Sequence, residues 1–115
     1  MAKKSKVKST NQFRFNFNTK HPNYVFEESG GKYHAVGITH EEKTFGVKNM
    51  PLKHNPKSKD KRKAYIRNGY IVDKKRSFSK KEDKTLKFNS EDLPNVKSKI
   101  RHYKKARKKK NKKSK

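Results

Sequence analysis

The sequence has no cysteine, and it has no long apolar stretch. Without cysteine there is no disulfide framework, no thiolate nucleophile and no thiolate ligand for zinc. A membrane-spanning helix needs roughly 18 consecutive apolar residues, and no run approaches that length. The N-terminus is basic but lacks the apolar segment of a secretory signal, so we expect a cytoplasmic protein in a reducing, intracellular compartment.

Acidic residues are scarce, and both ends of the chain lack them. Ten Asp and Glu oppose 35 Lys and Arg, which gives a net charge of +25 on 115 residues, and all ten acids lie between Glu27 and Asp92. Blocks of like charge have little to bury and cannot offset a backbone ordering entropy of about 1–2 kcal/mol per residue. We therefore predict disordered basic arms at residues 1–12 and 105–115, a folded domain at 13–104 and a polyanionic partner.

Hydrophobic residues make up only 27% of the chain, so the folded domain must have a thin core. Residues 13–17 carry phenylalanine at every second position, which places three rings on one face of a strand. Because apolar residues are so few, we interpret these rings as part of the core. A row of rings that stacks on bases is the alternative.

Two residue pairs predict tight hairpins in the centre of the chain. Gly30 with Gly31, and Asn68 with Gly69, each separate two β-prone runs and suit the positive φ angles of a two-residue turn. A further β-prone run at residues 44–47 predicts a third strand.

A single amphipathic helix is predicted to start near Ser90. Either Ser90 or Asp92 serves as the N-cap, and an Asp92 cap places Pro94 in the first turn, where proline is tolerated. Apolar residues then recur at helical spacing and should dock on the core: Leu93, Val96, Ile100 and Tyr103. The predicted fold class is α+β, with a small antiparallel sheet of short hairpins, one C-terminal amphipathic helix and disordered basic arms.

The cations indicate how a polyanion would be held. Lysine outnumbers arginine 29 to 6, which favours phosphate contacts over base recognition, although an AT-rich genome explains the ratio equally well. The basic loop, residues 53–63, is long enough to follow a phosphate backbone, although a solvated surface loop is the alternative. The predicted nucleic-acid-binding residues are Arg14, Lys53, Lys57, Lys59, Lys61, Arg62, Lys63, Arg67, Lys97, Arg101, Lys104, Lys105, Arg107 and Lys108.

The predicted partner is the phosphate backbone of RNA or DNA. We favour RNA because the sequence has no helix-turn-helix or other groove-reading motif. Two lysine-rich arms on a compact centre resemble ribosomal proteins in general design, without any family motif, and this resemblance implies a ribosomal partner. A DNA-binding protein of a phage or mobile element would have a similar composition.

The histidines leave one enzymatic alternative. None of the five is paired at the i, i+4 spacing of helical zinc ligands, so we expect no metal and no cofactor. A small metal-independent ribonuclease needs only an acid, a base and cations, which the strands could supply from His21, Tyr24, His34, His40, Tyr65 and Arg67. Non-enzymatic nucleic-acid binding remains the leading hypothesis. The apolar face of the helix is too small for strong lipid binding, so we expect no membrane partner.

Overall fold

The computed structural model describes the backbone of residues 7–113 and the side chains of residues 7–107. Within that range there are eight strands, a short 3-10 helix at Lys75–Ser77 and one α-helix, α1, at Leu93–Lys113. The strands in chain order are β1 (Lys8–Asn16), β2 (His21–Ser29), β3 (Lys32–Thr39), β4 (Lys43–Thr44), β5 (Val47–Lys48), β6 (Met50–Pro51), β7 (Tyr65–Ile66) and β8 (Ile71–Lys74).

The main sheet is antiparallel throughout and has the order β1-β2-β3-β7-β6, with β8 also paired to β3. Strands β4 and β5 form a separate two-stranded hairpin. A small antiparallel sheet with one C-terminal helix confirms the predicted α+β class. The prediction of one strand over residues 44–47 is wrong, because Thr44 pairs with Val47 across a turn at residues 45–46.

The turn between β2 and β3 follows its sequence signal. Ser29 pairs with Lys32 across a two-residue turn. Gly30 and Gly31 have φ angles of 60° and 75°, which glycine adopts without the steric cost of a Cβ. The predicted hairpin at this position is confirmed.

The predicted hairpin at Asn68 and Gly69 is wrong. Strand β7 pairs with β3 residues 38–39, and β8 pairs with β3 residues 32–35, so both run antiparallel to β3 along the same edge. They are two parts of one interrupted strand. The backbone N–H groups at the interruption are taken by side chains from elsewhere: Asn68 N donates to Asn49 Oδ1 at 2.8 Å, and Gly69 N donates to the Tyr103 hydroxyl at 3.3 Å.

The core has two layers, one on each face of the sheet. The larger layer lies under α1 and combines residues of β1, β2, β3 and β7 with residues of the helix and two loops: Phe13, Tyr24, Phe26, Val36, Ile38, Leu52, Ala64, Ile66, Phe88, Val96 and Ile100. The smaller layer, on the opposite face, consists of Val25, Ala35 and Phe78. Alternation along β2 and β3 therefore sends successive side chains into different layers.

The apolar stripe of α1 packs on the sheet as predicted. Val96 and Ile100 are buried in the larger layer, and Leu93 and Tyr103 pack against it. The helix begins at Leu93, which places Pro94 in the first turn.

The described backbone is regular beyond both predicted domain boundaries. Strand β1 begins at Lys8, which pairs with Glu28, so residues 8–12 belong to the sheet rather than to a basic arm. Helix α1 continues to Lys113 instead of ending near residue 104, because consecutive helical residues satisfy their own backbone groups. The other parts of the predicted arms, residues 1–6 and 114–115, lie outside the described residues.

The three phenylalanines of residues 13–17 do not share one environment. Phe13 is buried against Tyr24 and Phe88. Phe15 and Phe17 are 40% and 56% exposed and contact each other edge-on. The core interpretation is correct for Phe13 only, because Phe15 lies near the end of β1 at the edge of the sheet and Phe17 lies beyond the strand.

Candidate nucleic-acid interface

The basic loop and residues 84–90 are the two walls of an open groove of about 960 Å³, the cationic groove. Its apolar floor includes the buried side chains of Leu52, Ala64 and Phe88. Six cationic side chains and one acid, Asp60, line it, and the cations are Lys53, Lys61, Arg62, Lys63, Lys84 and Lys87. The fold thus brings together two basic segments that are well separated in sequence.

The first wall of the groove is held by Asp92 at the start of α1. Asp92 is 2% exposed, and its two carboxylate oxygens accept the backbone N–H groups of Lys53 at 2.8 Å and His54 at 2.9 Å. The predicted cap residue therefore uses its side chain to bind the basic loop. A carboxylate that accepts two N–H groups makes stronger bonds than a neutral acceptor would.

Further hydrogen bonds close the loop on itself and attach it to the second wall. Leu52 N donates to Ala64 O at 3.0 Å, which closes the neck of the loop. Lys87 N donates to Pro56 O at 3.0 Å, which joins the two walls directly. His40, just after β3, has Nδ1 3.0 Å from Lys63 O. The backbone of the basic loop is therefore fixed at several points, while its lysines and Arg62 remain exposed to solvent.

The single acid of the groove is occupied by a neighbouring arginine. Arg62 contacts both carboxylate oxygens of Asp60, with Nη2–Oδ2 at 2.7 Å and Nε–Oδ1 at 3.0 Å. Hydrogen bonds from Arg62 hold the pKa of Asp60 well below its usual range. The other five cations, all lysines, form no ion pair among the described side chains.

A row of exposed cations continues from the groove along α1. Lys97, Arg101 and Lys105 recur every four residues, so they share one side of the helix, and all three are exposed. Leu93, one turn before Lys97, lines the groove. We call these three residues the helix row.

Two predicted contact residues, one in β1 and one just after β7, have neighbours within the fold. Arg14 donates from Nη1 to the carbonyls of Ser79 at 2.8 Å and Lys80 at 2.7 Å, and its guanidinium lies 5.2 Å from the centre of the Tyr33 ring. Arg67 lies against the backbone at Gly37, where an added Cβ would be 3.4 Å from the Arg67 Cβ. The Arg14 guanidinium therefore bonds within the fold, and the Arg67 side chain packs beside Gly37.

Two predicted residues on α1 face the sheet. Lys104 Nζ forms an ion pair with Glu27 Oε1 at 2.6 Å, and the Arg107 guanidinium lies 5.0 Å from the centre of the Tyr70 ring. The side chain of Lys108 lies outside the described side chains. Lys57 and Lys59 are exposed on the basic loop but do not line the groove.

The sequence did not reveal Lys84 and Lys87 as site residues. They lie in a mixed polar segment whose only apolar signals are isolated residues such as Leu86 and Phe88. The burial of Phe88 and the bridge between Lys57 and Leu86 place the segment beside the basic loop. That bridge joins residues distant in sequence, and local pattern does not encode such a pairing.

The residues of the predicted ribonuclease site are dispersed. His40 contacts the basic loop, and Tyr24 lies in the core, where burial raises its pKa. Two of its histidines have acid–base neighbours: His34 Nδ1 lies 2.8 Å from the Tyr70 hydroxyl and 3.9 Å from Glu27 Oε2, and His40 Nε2 lies 3.6 Å from Asp60 Oδ2. Burial is the main cause that lowers the pKa of His34.

Within residues 7–113, no three histidine, aspartate or glutamate side chains converge into a possible metal site. No helix in the same range has the length and hydropathy needed to cross a membrane. Comparisons of the chain with protein-family models, curated proteins and solved structures find no match.

Proposed function

We propose that this protein binds nucleic acid without catalysis, mainly through phosphate contacts in the cationic groove and along the helix row. One observation carries the proposal: the fold gathers six cations from two segments around a single acid, and Arg62 already neutralises that acid. Like charges at this density repel one another, and a phosphate backbone relieves that repulsion while releasing its own counterions.

RNA is the preferred nucleic acid in this proposal. The single described helix packs its apolar stripe on the sheet, and the described residues contain no helix-turn-helix to enter a major groove. RNA also presents unpaired bases in its loops and bulges, which a continuous duplex does not. The ribosome is one partner of this chemical class.

A competition assay tests the preference. Purified protein is bound to a labelled RNA hairpin, and the complex is challenged with matched unlabelled duplex DNA or structured RNA. We expect structured RNA to displace the label at lower concentration. Equal displacement would contradict the RNA preference, and an affinity that stays flat from low to physiological salt would contradict phosphate binding itself.

A matched pair of variants tests the location of the interface. Lys84→Ala with Lys87→Ala removes two cations from the groove. Lys32→Ala with Lys74→Ala removes two exposed cations at the opposite end of β3 from His40, about 25 Å away along an eight-residue strand. The proposal expects the first pair to weaken RNA binding clearly more than the second, and equal losses would contradict the groove assignment.

The ribonuclease alternative has one supporting observation, the His34 cluster. His34, Tyr70 and Glu27 provide acid–base groups, and Lys104 lies beside them as a cation. Incubating the protein with RNA in the presence of a chelator tests it. Cleavage that is lost in His34→Ala would support catalysis, and intact RNA would remove this alternative.

A further inference from the structure

The β4–β5 hairpin, residues 43–48, carries an exposed aromatic ring at its tip. Thr44 pairs with Val47, so Phe45 and Gly46 are the two residues of the turn. Phe45 is 94% exposed, the highest value among the described large hydrophobic side chains. The Phe45 ring therefore lacks the hydrophobic stabilisation that burial gives to the phenylalanines of the core.

The backbone at Phe45 is also unfavourable for phenylalanine. Its φ is 51°, and Gly46 follows at 80°. Turns with two positive φ angles favour asparagine, aspartate or glycine at the first position, and a bulky side chain there is a steric outlier. Backbone strain of this kind persists where the surroundings hold it, and such positions cluster at ligand contacts.

The stem of the hairpin is held by one buried side chain. Asn49 is 4% exposed, and its Nδ2 donates to Glu41 O at 3.0 Å and to Thr44 Oγ1 at 2.8 Å. Its Oδ1 accepts the backbone N–H of Asn68 at 2.8 Å, which ties the stem to the main sheet. Phe45 therefore projects from a fixed support.

The stem is also cationic. Lys43 and Lys48 pair directly across the hairpin, and both are exposed. Like charges placed opposite each other destabilise a strand pair. An anion close to both lysines would remove this repulsion. The exposed Phe45 ring lies in the turn, one residue pair beyond the lysines.

We propose that this hairpin is a base-stacking finger, in which Phe45 stacks on an unpaired nucleobase while Lys43 and Lys48 contact the neighbouring phosphates. The inference rests on the proposed function and adds a substrate class: nucleic acid with an accessible unpaired base, as in a loop, a bulge or a single strand. A continuous duplex hides the faces of its bases and offers the finger only phosphates.

The chain contains no tryptophan, so Phe45→Trp provides a single reporter at the tip. The variant is titrated with an RNA hairpin that has an unpaired loop and with a fully paired RNA duplex, while anisotropy of labelled RNA reports binding separately. We expect loss of tryptophan emission with the loop RNA and little loss with the duplex. Phe17→Trp, at another exposed phenylalanine, is the matched control and should change little.

A second variant gives a functional readout. Phe45→Ala should lower affinity for the loop RNA about tenfold, within the range known for one stacked base, and should leave duplex affinity unchanged. Unquenched emission despite binding in the anisotropy assay would overturn the finger while leaving the proposed function standing. Absence of RNA binding would overturn both the finger and the proposed function. A blue shift of the Phe45→Trp emission with anionic vesicles but not with RNA would overturn the finger and indicate a membrane contact instead.

Discussion

Buried polar side chains organise this small protein at the scale of single residues. Asn16, Asn49 and Asp92 are all almost fully buried, and each bonds backbone groups of a turn or a distant segment. A typical hydrogen bond contributes about 0.5–1.5 kcal/mol, and a buried partner left without one costs more. In a chain with 27% hydrophobic residues, these bonds supplement a thin core.

Replacing the strained tip residue should separate stability from binding. Phe45→Asn puts a residue that tolerates positive φ at this turn position, so the free energy of unfolding should rise by about 1 kcal/mol. The same change removes the stacking ring and should weaken binding of loop RNA. Chemical denaturation and anisotropy measure the two effects, and a loss of stability would contradict the strain at Phe45.

His34 should make stability depend on pH. Burial lowers its folded-state pKa below the ordinary value of 6.5, against the opposing effect of Glu27 and with smaller help from Arg107, Lys104 and Lys32. The unfolded chain therefore binds the proton more readily, so the stability is full above pH 6.5 and falls as the pH drops below it.

Denaturation curves between pH 7.5 and 5 test this dependence. We expect His34→Gln to flatten the decline near and below pH 6.5, the ordinary pKa of histidine. His102→Gln, which changes an exposed histidine on α1, is the control and should keep the wild-type decline. An unchanged decline in His34→Gln would assign the effect to other groups.

At the scale of elements, the sequence predicts correctly those turns and helices whose stabilising contacts are made by residues close together in the chain. The Gly30 and Gly31 turn and the apolar stripe of α1 depend on neighbouring residues, and the sequence predicts both. The hairpin predicted at Asn68 and Gly69 is wrong because the backbone N–H groups of these residues bond to Asn49 and Tyr103, which are distant in sequence. Strands β7 and β8, on either side of these two residues, both pair with β3 and so form one interrupted strand.

The attachment of the basic loop to α1 is an element-scale contact with a clear test. Asp92→Asn keeps the shape of the side chain but removes the charge and replaces one of two acceptor oxygens with a donor group. The N–H of Lys53 or His54 then loses its acceptor, so the free energy of unfolding should fall by about 2 kcal/mol. RNA affinity should fall as well, because the first wall of the groove loosens.

The matched control for this substitution is Glu91→Gln, one residue earlier, where the exposed side chain forms an ion pair with His54. It removes the same charge without removing a backbone acceptor and should change stability little. Thermal or chemical denaturation measures both variants. Equal effects would mean that charge near the helix start matters more than the two loop bonds.

At the scale of the whole molecule, the proposed binding should depend on charge, both in its strength and in its response to salt. The five unpaired lysines of the groove and the three cations of the helix row can meet eight phosphates. These eight contacts should contribute about −6 to −7 to the slope of log affinity against log salt concentration. Each groove lysine changed to alanine should make the slope less negative by about 0.7–0.9.

Binding measured from 50 to 300 mM salt gives this slope. Arg62→Ala is an informative comparison, because Arg62 already pairs with Asp60, and its removal should change the slope less than Lys63→Ala does. A similar change for both would mean that the ion pair opens when nucleic acid binds.

The composition predicted a polyanion-binding protein but could not place the interface. It assigned Lys53, Lys61 and Lys63 to the contact surface, and these do line the groove. It also assigned Arg14 and Lys104, which are bonded within the fold. Two residues with the same charge differ in role only through their tertiary neighbours, and a single sequence does not contain those distances.

The Asp92 contact also has a consequence for synthesis. Lys53 leaves the ribosome 39 residues before the carboxylate that binds its N–H. A nascent chain therefore displays the cations of the basic loop before the groove exists, and Asp92 must emerge before the loop takes its final shape. Assembly of the cationic groove is thus a late event in translation, and a chain truncated before residue 92 would carry the cations of the basic loop without the bonds that shape the proposed binding surface.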